Sequence, residues 1–147
     1  MLAVDRARQC VYSTSSEAHS TESHVYRVSY ATGKKVALVD ASTPGYWSAE
    51  FSSLQGYYIL SYLGPDVPYV EVYSVNNSIP LLTLEDGSAT YEMLEKYHLP
   101  DVTYTEIGPI SGITDTLNVM IEYPPSFNRS RKYPMFSRPM VALCRRF

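Results

Sequence analysis

Three histidines, His19, His24 and His98, lie near many serines and acids, the residue types of a nucleophile–base–acid relay. Such a relay is defined by geometry, and none of its local sequence signatures accompanies these histidines, so a self-contained hydrolase site is the lesser reading. The structural alternative makes His19 a loop residue, His24 a strand-edge residue and His98 a cation at a helix C-terminus, where the dipole favours it. The same three residues do not form a metal site, because no ligand pair stands at i, i+4. Asp5, Asp40, Glu50, Asp86 and Asp101 have the chemistry of general acids or bases. Each borders a predicted strand or turn, which favours a solvated or turn-bonding role. No catalytic, cofactor-binding or metal-binding residue is assigned on this basis, and no cofactor is expected.

Two cysteines, Cys10 and Cys144, are too few for a disulfide framework or a metal site. They could pair with each other, although free thiols are the favoured reading. Asn76-Asn77-Ser78 and Asn128-Arg129-Ser130 both fit the N-glycosylation acceptor pattern, which makes Asn76 and Asn128 candidate modification sites. The formal charge of −3 and pI near 5.6 argue against a nucleic-acid or membrane-surface partner. Tyr-rich strands could stack bases, but cations are scarce among them, so they read as core. The charge is uneven: Arg129, Arg131, Lys132, Arg138, Arg145 and Arg146 supply half of the 12 cations from the last 19 residues. No apolar run reaches the roughly 20 residues that span a bilayer, and no basic-then-apolar leader opens the chain.

The elements that would position these residues are predicted to be strands. In Gly45 to Val75, Tyr58, Leu60 and Tyr62 alternate with Tyr57, Ile59 and Ser61, the period of a half-buried strand. Turns at Ser52 to Gly56 and at Gly64-Pro65-Asp66 with Pro68 flank it. Tyr69 to Val75 and Ile79 to Leu84 complete a four-stranded antiparallel unit. Upstream, Leu2 to Asp5, Cys10 to Thr14, His24 to Tyr30 and Val36 to Val39 make four more strands. Val25-Tyr26-Arg27-Val28 matches Val72-Tyr73-Ser74-Val75, and Leu38-Val39-Asp40 matches Leu84-Glu85-Asp86, at an offset of 46 to 47 residues. That period suits propeller blades of about 40 to 50 residues, which need neighbours to bury their faces.

After Asp86-Gly87 the pattern changes. Ser88 is the expected N-cap of a helix from Ala89 to Tyr97, with Met93, Leu94 and Tyr97 on one face. Val102 to Ile107 and Thr116 to Glu122 are two further strands around a turn at Pro109 to Gly112. Tyr123-Pro124-Pro125-Ser126-Phe127 is a rigid exit that cannot continue a central strand.

At this junction Leu117-Asn118-Val119-Met120, Tyr123-Pro124-Pro125-Ser126-Phe127 and Arg131-Lys132-Tyr133-Pro134 resemble the approach to the catalytic domain in the dipeptidyl peptidase IV family of serine peptidases, within the prolyl oligopeptidase group. Ser20 to Val28, Gly45-Tyr46-Trp47-Ser48-Ala49 and Tyr62 to Pro68 resemble its last two blades. The resemblance runs from about Leu2 to Pro134 and is nearest to the fungal vacuolar-membrane dipeptidyl aminopeptidase B branch. It implies an all-β segment: two four-stranded antiparallel propeller blades (residues 1–44 and 45–86), a helical linker (87–101) and the opening hairpin of an α/β-hydrolase domain (102–134). It implies a parent enzyme that removes X-Pro or X-Ala dipeptides from peptide substrates, sits on the lumenal side of the vacuolar membrane and forms a homodimer. No membrane contact by this segment is expected.

The family's Gly-x-Ser-x-Gly nucleophile elbow is missing here, and its Asp, His and substrate-holding glutamates lie elsewhere in the parent. The chain by itself is therefore expected to be inactive, a fragment contributing propeller wall and domain junction. The alternative is a stand-alone β-rich binding module, a pseudoenzyme. The family's Tyr-Gly-Gly-Pro loop is replaced by Pro139-Met140-Val141-Ala142-Leu143. Codons CCT ATG GTG GCC CTG would encode this stretch and, from the third base, would read TAT GGT GGC CCT, which is Tyr-Gly-Gly-Pro. Residues 135–147 are accordingly expected to be an out-of-frame tail.

Overall fold

The computed structural model describes residues 1–40, 42–109 and 116–138. Two units divide the chain, Met1–Tyr97 and His98–Phe147.

Alternating side chains and short polar turns build the first unit as two antiparallel meanders. Strands β1 (Ala3–Asp5), β2 (Cys10–Ser15), β3 (His24–Ser29) and β4 (Lys35–Ala37) pair in sequence order. Strands β5 (Trp47–Phe51), β6 (Tyr57–Tyr62), β7 (Tyr69–Ser74) and β8 (Leu82–Glu85) do the same. The repeated segments seen in sequence fall at equivalent places: Val25–Val28 lies on the third strand of its sheet, and Val72–Ser74 on the third strand of the other. β8 begins later than the sequence suggests. Pro80 has no N–H to give a ladder, Leu81 N–H makes the first bond to Val72 O at 2.7 Å, and the register slips between Val70 and Glu71.

The core lies between the two sheets. Cys10, Tyr12 and Val25 from the first sheet meet Trp47, Ala49, Tyr58, Leu60 and Tyr62 from the second. An aromatic ladder crosses the seam: Tyr12 stacks on Phe51 at 4.2 Å, Phe51 on Tyr58 at 5.3 Å, and Tyr58 on Tyr73 at 5.3 Å. Such pairs add about 0.5–1.5 kcal/mol each beyond the area they bury. Backbone bonds also tie the sheets, with Ser23 N–H donating to Gly45 O at 3.0 Å and Trp47 N–H to Ser23 O at 2.8 Å. Gly45 is required at this seam, because a Cβ there would stand 2.5 Å from Tyr62 Cε2 and 2.9 Å from Gly64 O.

The helix differs from expectation at both ends. α1 spans Ser88–Leu94, capped by Gly87 in the left-handed region (φ 73°) rather than by Ser88. The Asp86 carboxylate takes the Ser88 N–H at 2.9 Å, an Asx turn that satisfies the donor from outside the helix. Beyond Leu94 the chain tightens into i→i−3 bonds, Lys96 N–H to Met93 O and Tyr97 N–H to Leu94 O, and the α-helix stops. Met93 and Tyr97 remain exposed, and no α1 residue is buried.

In the second unit, β9 (Asp101–Ile107) and β10 (Leu117–Tyr123) pair antiparallel from Leu117↔Ile107 to Tyr123↔Asp101. β10 ends at Tyr123 before the two prolines, and Phe127 packs between Tyr123 (4.5 Å) and Tyr133 (5.0 Å). The expected turn at Pro109 to Gly112 falls largely outside the described residues. So do Cys144, whose thiol is expected to be free like that of Cys10, and most of the tail.

Candidate functional site

Alternation along β3 brings three consecutive residues out of water. Val25 faces the inter-sheet core, while His24 and Tyr26 occupy the other face, and all three are buried. His24 opens β3, the strand-edge place read from sequence, and is fully buried there. Its Nε2 lies 2.7 Å from Glu22 Oε2, and its Nδ1 is buried with no hydrogen-bond partner among the described residues. With Nε2 on Glu22, the nitrogen left to take a proton from a serine is Nδ1, and no hydroxyl meets it among the described residues, so the relay is incomplete. Lys35 sits 4.1 Å over the Tyr26 ring and pairs with Glu17, closing the loop after β2 over this face. His19 Nδ1 lies 2.7 Å from Thr21 Oγ1 in that loop. His98 is exposed and follows the last helical turn by four residues, too far for the dipole interaction expected of it.

The acids also separate from one another. Asp5 is buried, not solvated, although its turn-bonding role holds: it accepts the Arg8 N–H at 2.9 Å and the Arg8 guanidinium at 2.7 Å. Burial alone would raise its pKa, but the Arg8 hydrogen bonds and charge outweigh that and hold the carboxyl below its ordinary value. Asp40 and Asp86 are exposed and held low by hydrogen bonds from Ser42 and Ser88. Glu50 and Asp101 are exposed on β5 and β9. Among the described residues, no three His, Cys, Asp or Glu side chains come together as a metal cluster.

The two sequons lie on exposed turns. Asn76 follows β7, with Ser74 Oγ accepting its N–H at 3.4 Å. Asn128 Oδ1 accepts the Ser130 N–H at 2.9 Å, so the Asn128-Arg129-Ser130 triplet is an Asx turn beside the Phe127 cluster.

Sequence reading missed the clefts of the first unit. Two clefts open between the sheets. One, of ≈390 Å³, is lined by Leu38, Asp40, Trp47, Leu60, Tyr69 and Tyr73. The other, of ≈310 Å³, is lined by Arg27, Leu38, Tyr58, Asn76, Asn77 and Ser78. Burial pushes the Tyr58 phenol up to about 12 against the opposing pull of Arg27, and pushes Tyr12 and Tyr73 well above the ordinary tyrosine value. The only sequence signal for these clefts was the blade repeat, which implies a seam but not what lines it.

A sequence profile of the dipeptidyl peptidase IV (DPP IV) N-terminal region matches residues 1–69. The probable dipeptidyl peptidase 4 of Aspergillus flavus is 48% identical over 139 residues, 95% of this chain and 18% of that protein. The dipeptidyl peptidase 4 of Trichophyton equinum is 46% identical over 140 residues, with the same shares. The crystal structure of Porphyromonas gingivalis dipeptidyl peptidase 4 superimposes with a TM-score of 0.78 at 32% identity, covering 90% of this chain and 18% of that one. A putative dipeptidyl aminopeptidase IV from Bacteroides ovatus shares the fold, with a TM-score of 0.66 at 21% identity over 91% of this chain and 18% of its own. The chain thus spans about 18% of the length of the relatives it matches, and its antiparallel sheets correspond to their N-terminal propeller region. On this sequence and structural similarity, the chain belongs to the dipeptidyl peptidase IV family.

Proposed function

We propose that the chain serves as propeller wall and domain junction in a serine-type dipeptidyl aminopeptidase acting on X-Pro or X-Ala peptides, and that it holds no catalytic triad of its own. The observation that carries this reading is the continuity of the similarity: 46–48% identity runs through 139–140 residues, from the two sheets past the β9–β10 hairpin. On this reading residues 1–44 and 45–86 are adjacent blades, 87–101 is a linker and 102–134 opens the α/β-hydrolase domain. No Gly-x-Ser-x-Gly elbow occurs in the 147 residues, so the nucleophile belongs to another part of the parent. The parent would be a homodimer on the lumenal side of the vacuolar membrane, with glycans on Asn76 and Asn128. Residues 135–147 would be an out-of-frame tail, which the genomic DNA tests directly.

Purified chain incubated with a Gly-Pro chromogenic substrate should release no product above buffer. Hydrolysis that a serine-directed phosphonate abolishes would overturn the proposed lack of a triad.

A second reading, a stand-alone interaction module, is favoured by one feature. Every β8 residue is exposed, Leu82 and Leu84 included, so the second sheet ends in an unprotected edge. Soluble expression with a cooperative melt supports the module; aggregation on release from the ribosome supports the dependent segment.

A further inference from the structure

The ≈310 Å³ cleft has a lining at odds with its place between two apolar sheets. Arg27 on β3 is half-buried there, and no ion pair to a carboxylate holds it among the described residues. None of the residues lining the cleft is acidic. A guanidinium partly withdrawn from water is costly unless a counter-charge meets it. Around it the free hydrogen-bonding capacity is biased toward donors. The Tyr58 phenol stays protonated across the physiological range. Asn77 commits its carboxamide oxygen to the Ile79 N–H at 3.1 Å, which leaves the amide N–H groups. Ser78 adds a hydroxyl, and Val36, Leu38 and Val75 supply an apolar wall.

We infer that this cleft is a binding site for a small oxyanion, a carboxylate or phosphate group, held by Arg27 among Tyr58, Asn76, Asn77 and Ser78. The planar guanidinium fork matches two oxygens of either group, as a lysine ammonium does not. The volume is at the lower end of ligand pockets, about 300–1,000 Å³, which suits one anionic head with a short hydrocarbon or sugar tail against Val36 and Leu38. The chain is net negative, so attraction must come from this local charge and not from the overall field. This inference does not depend on the peptidase reading. The Asn76 sequon is at the rim, so a glycan there would compete for the same opening.

The test is arginine modification by phenylglyoxal on the full chain, with each site read by peptide mass mapping. Inorganic phosphate, acetate and chloride are compared at equal ionic strength. At ten times the dissociation constant, a bound anion should slow modification of Arg27 about elevenfold, as 1 + [L]/Kd. Arg6 and Arg129, which are exposed, should be unaffected. Protection of Arg27 by phosphate alone, by acetate alone or by both supports the site and names its class. Equal slowing at all three arginines, or protection of Arg27 by chloride to the same degree, overturns it. In parallel, Arg27→Lys keeps the charge but loses the fork and should weaken the phosphate-induced rise in melting temperature roughly tenfold in concentration. The modification experiment needs no variant and stands even if that substitution unfolds the chain.

Discussion

Gly33 and Gly87 adopt nearly the same left-handed backbone, φ 71° and 73°, in different surroundings. A Cβ on Gly33 would meet nothing within 4 Å, whereas one on Gly87 would stand 2.6 Å from Val67 Cγ1 and 3.0 Å from Pro68 O. Both lie in the same unit, so one unfolding transition reports on both. Alanine in the left-handed region costs about 1–2 kcal/mol. Lower entropy of the unfolded chain returns about 0.4–1 kcal/mol of this. Gly33→Ala should therefore cost no more than about 1.5 kcal/mol. Gly87→Ala carries that cost plus overpacking against a buried, β-branched Val67, about 1–3 kcal/mol more. In urea, with a slope of about 2 kcal/mol/M, the Gly87→Ala midpoint should lie about 0.5–1.5 M below that of Gly33→Ala. Adding Val67→Ala to Gly87→Ala makes room for the methyl group, so the double variant should lose less than the two single changes summed. Coincident midpoints for the two glycine variants, or strict additivity with Val67→Ala, would refute the steric account of the α1 cap.

Three further outcomes are expected. Asp5 has a depressed folded-state pKa, so its stabilising contribution is complete above the ordinary carboxylate value near 4 and disappears as pH falls through the folded value. Asp5→Asn should cost about 1–2 kcal/mol at neutral pH and flatten the acid limb of a urea-midpoint profile between pH 6 and 2. Tyr12, Tyr58 and Tyr73 have raised values, so their contribution is intact below the ordinary tyrosine value near 10 and is lost as pH rises through the folded values. Phenolate absorbance should therefore show a delayed class of tyrosines that ionises together with alkaline unfolding. Expressed through a secretory pathway, the chain should carry glycans that a peptide N-glycosidase removes, with one conversion to aspartate lost in each of Asn76→Gln and Asn128→Gln. Absence of both conversions in secreted protein removes the glycosylation reading.

Strand identity and order were legible before any coordinates, because the alternation of Tyr58, Leu60 and Tyr62 against Tyr57, Ile59 and Ser61 is a local property of a pleated chain. The internal match of Val25–Val28 with Val72–Val75 likewise gave the repeat, and with it two equivalent sheets. Burial was not legible in the same way. His24 and Asp5 are polar residues beside turns, and their sequence neighbours predict exposure. Both are withdrawn from water by groups that fold over them, Glu22 onto His24 and Arg8 onto Asp5. Ser88 looked like the helix cap because its side chain suits that role, yet a left-handed Gly87 wedged against Val67 and Pro68 took the position. Arg27 entered the sequence reading only as part of the repeated Val25–Val28 segment, and it is β6 and the turn after β7 that close a cleft around it. Pattern along a chain determines which faces a strand has. Only the packing of one sheet on another determines which of those faces meets water, which meets a neighbour, and which meets neither.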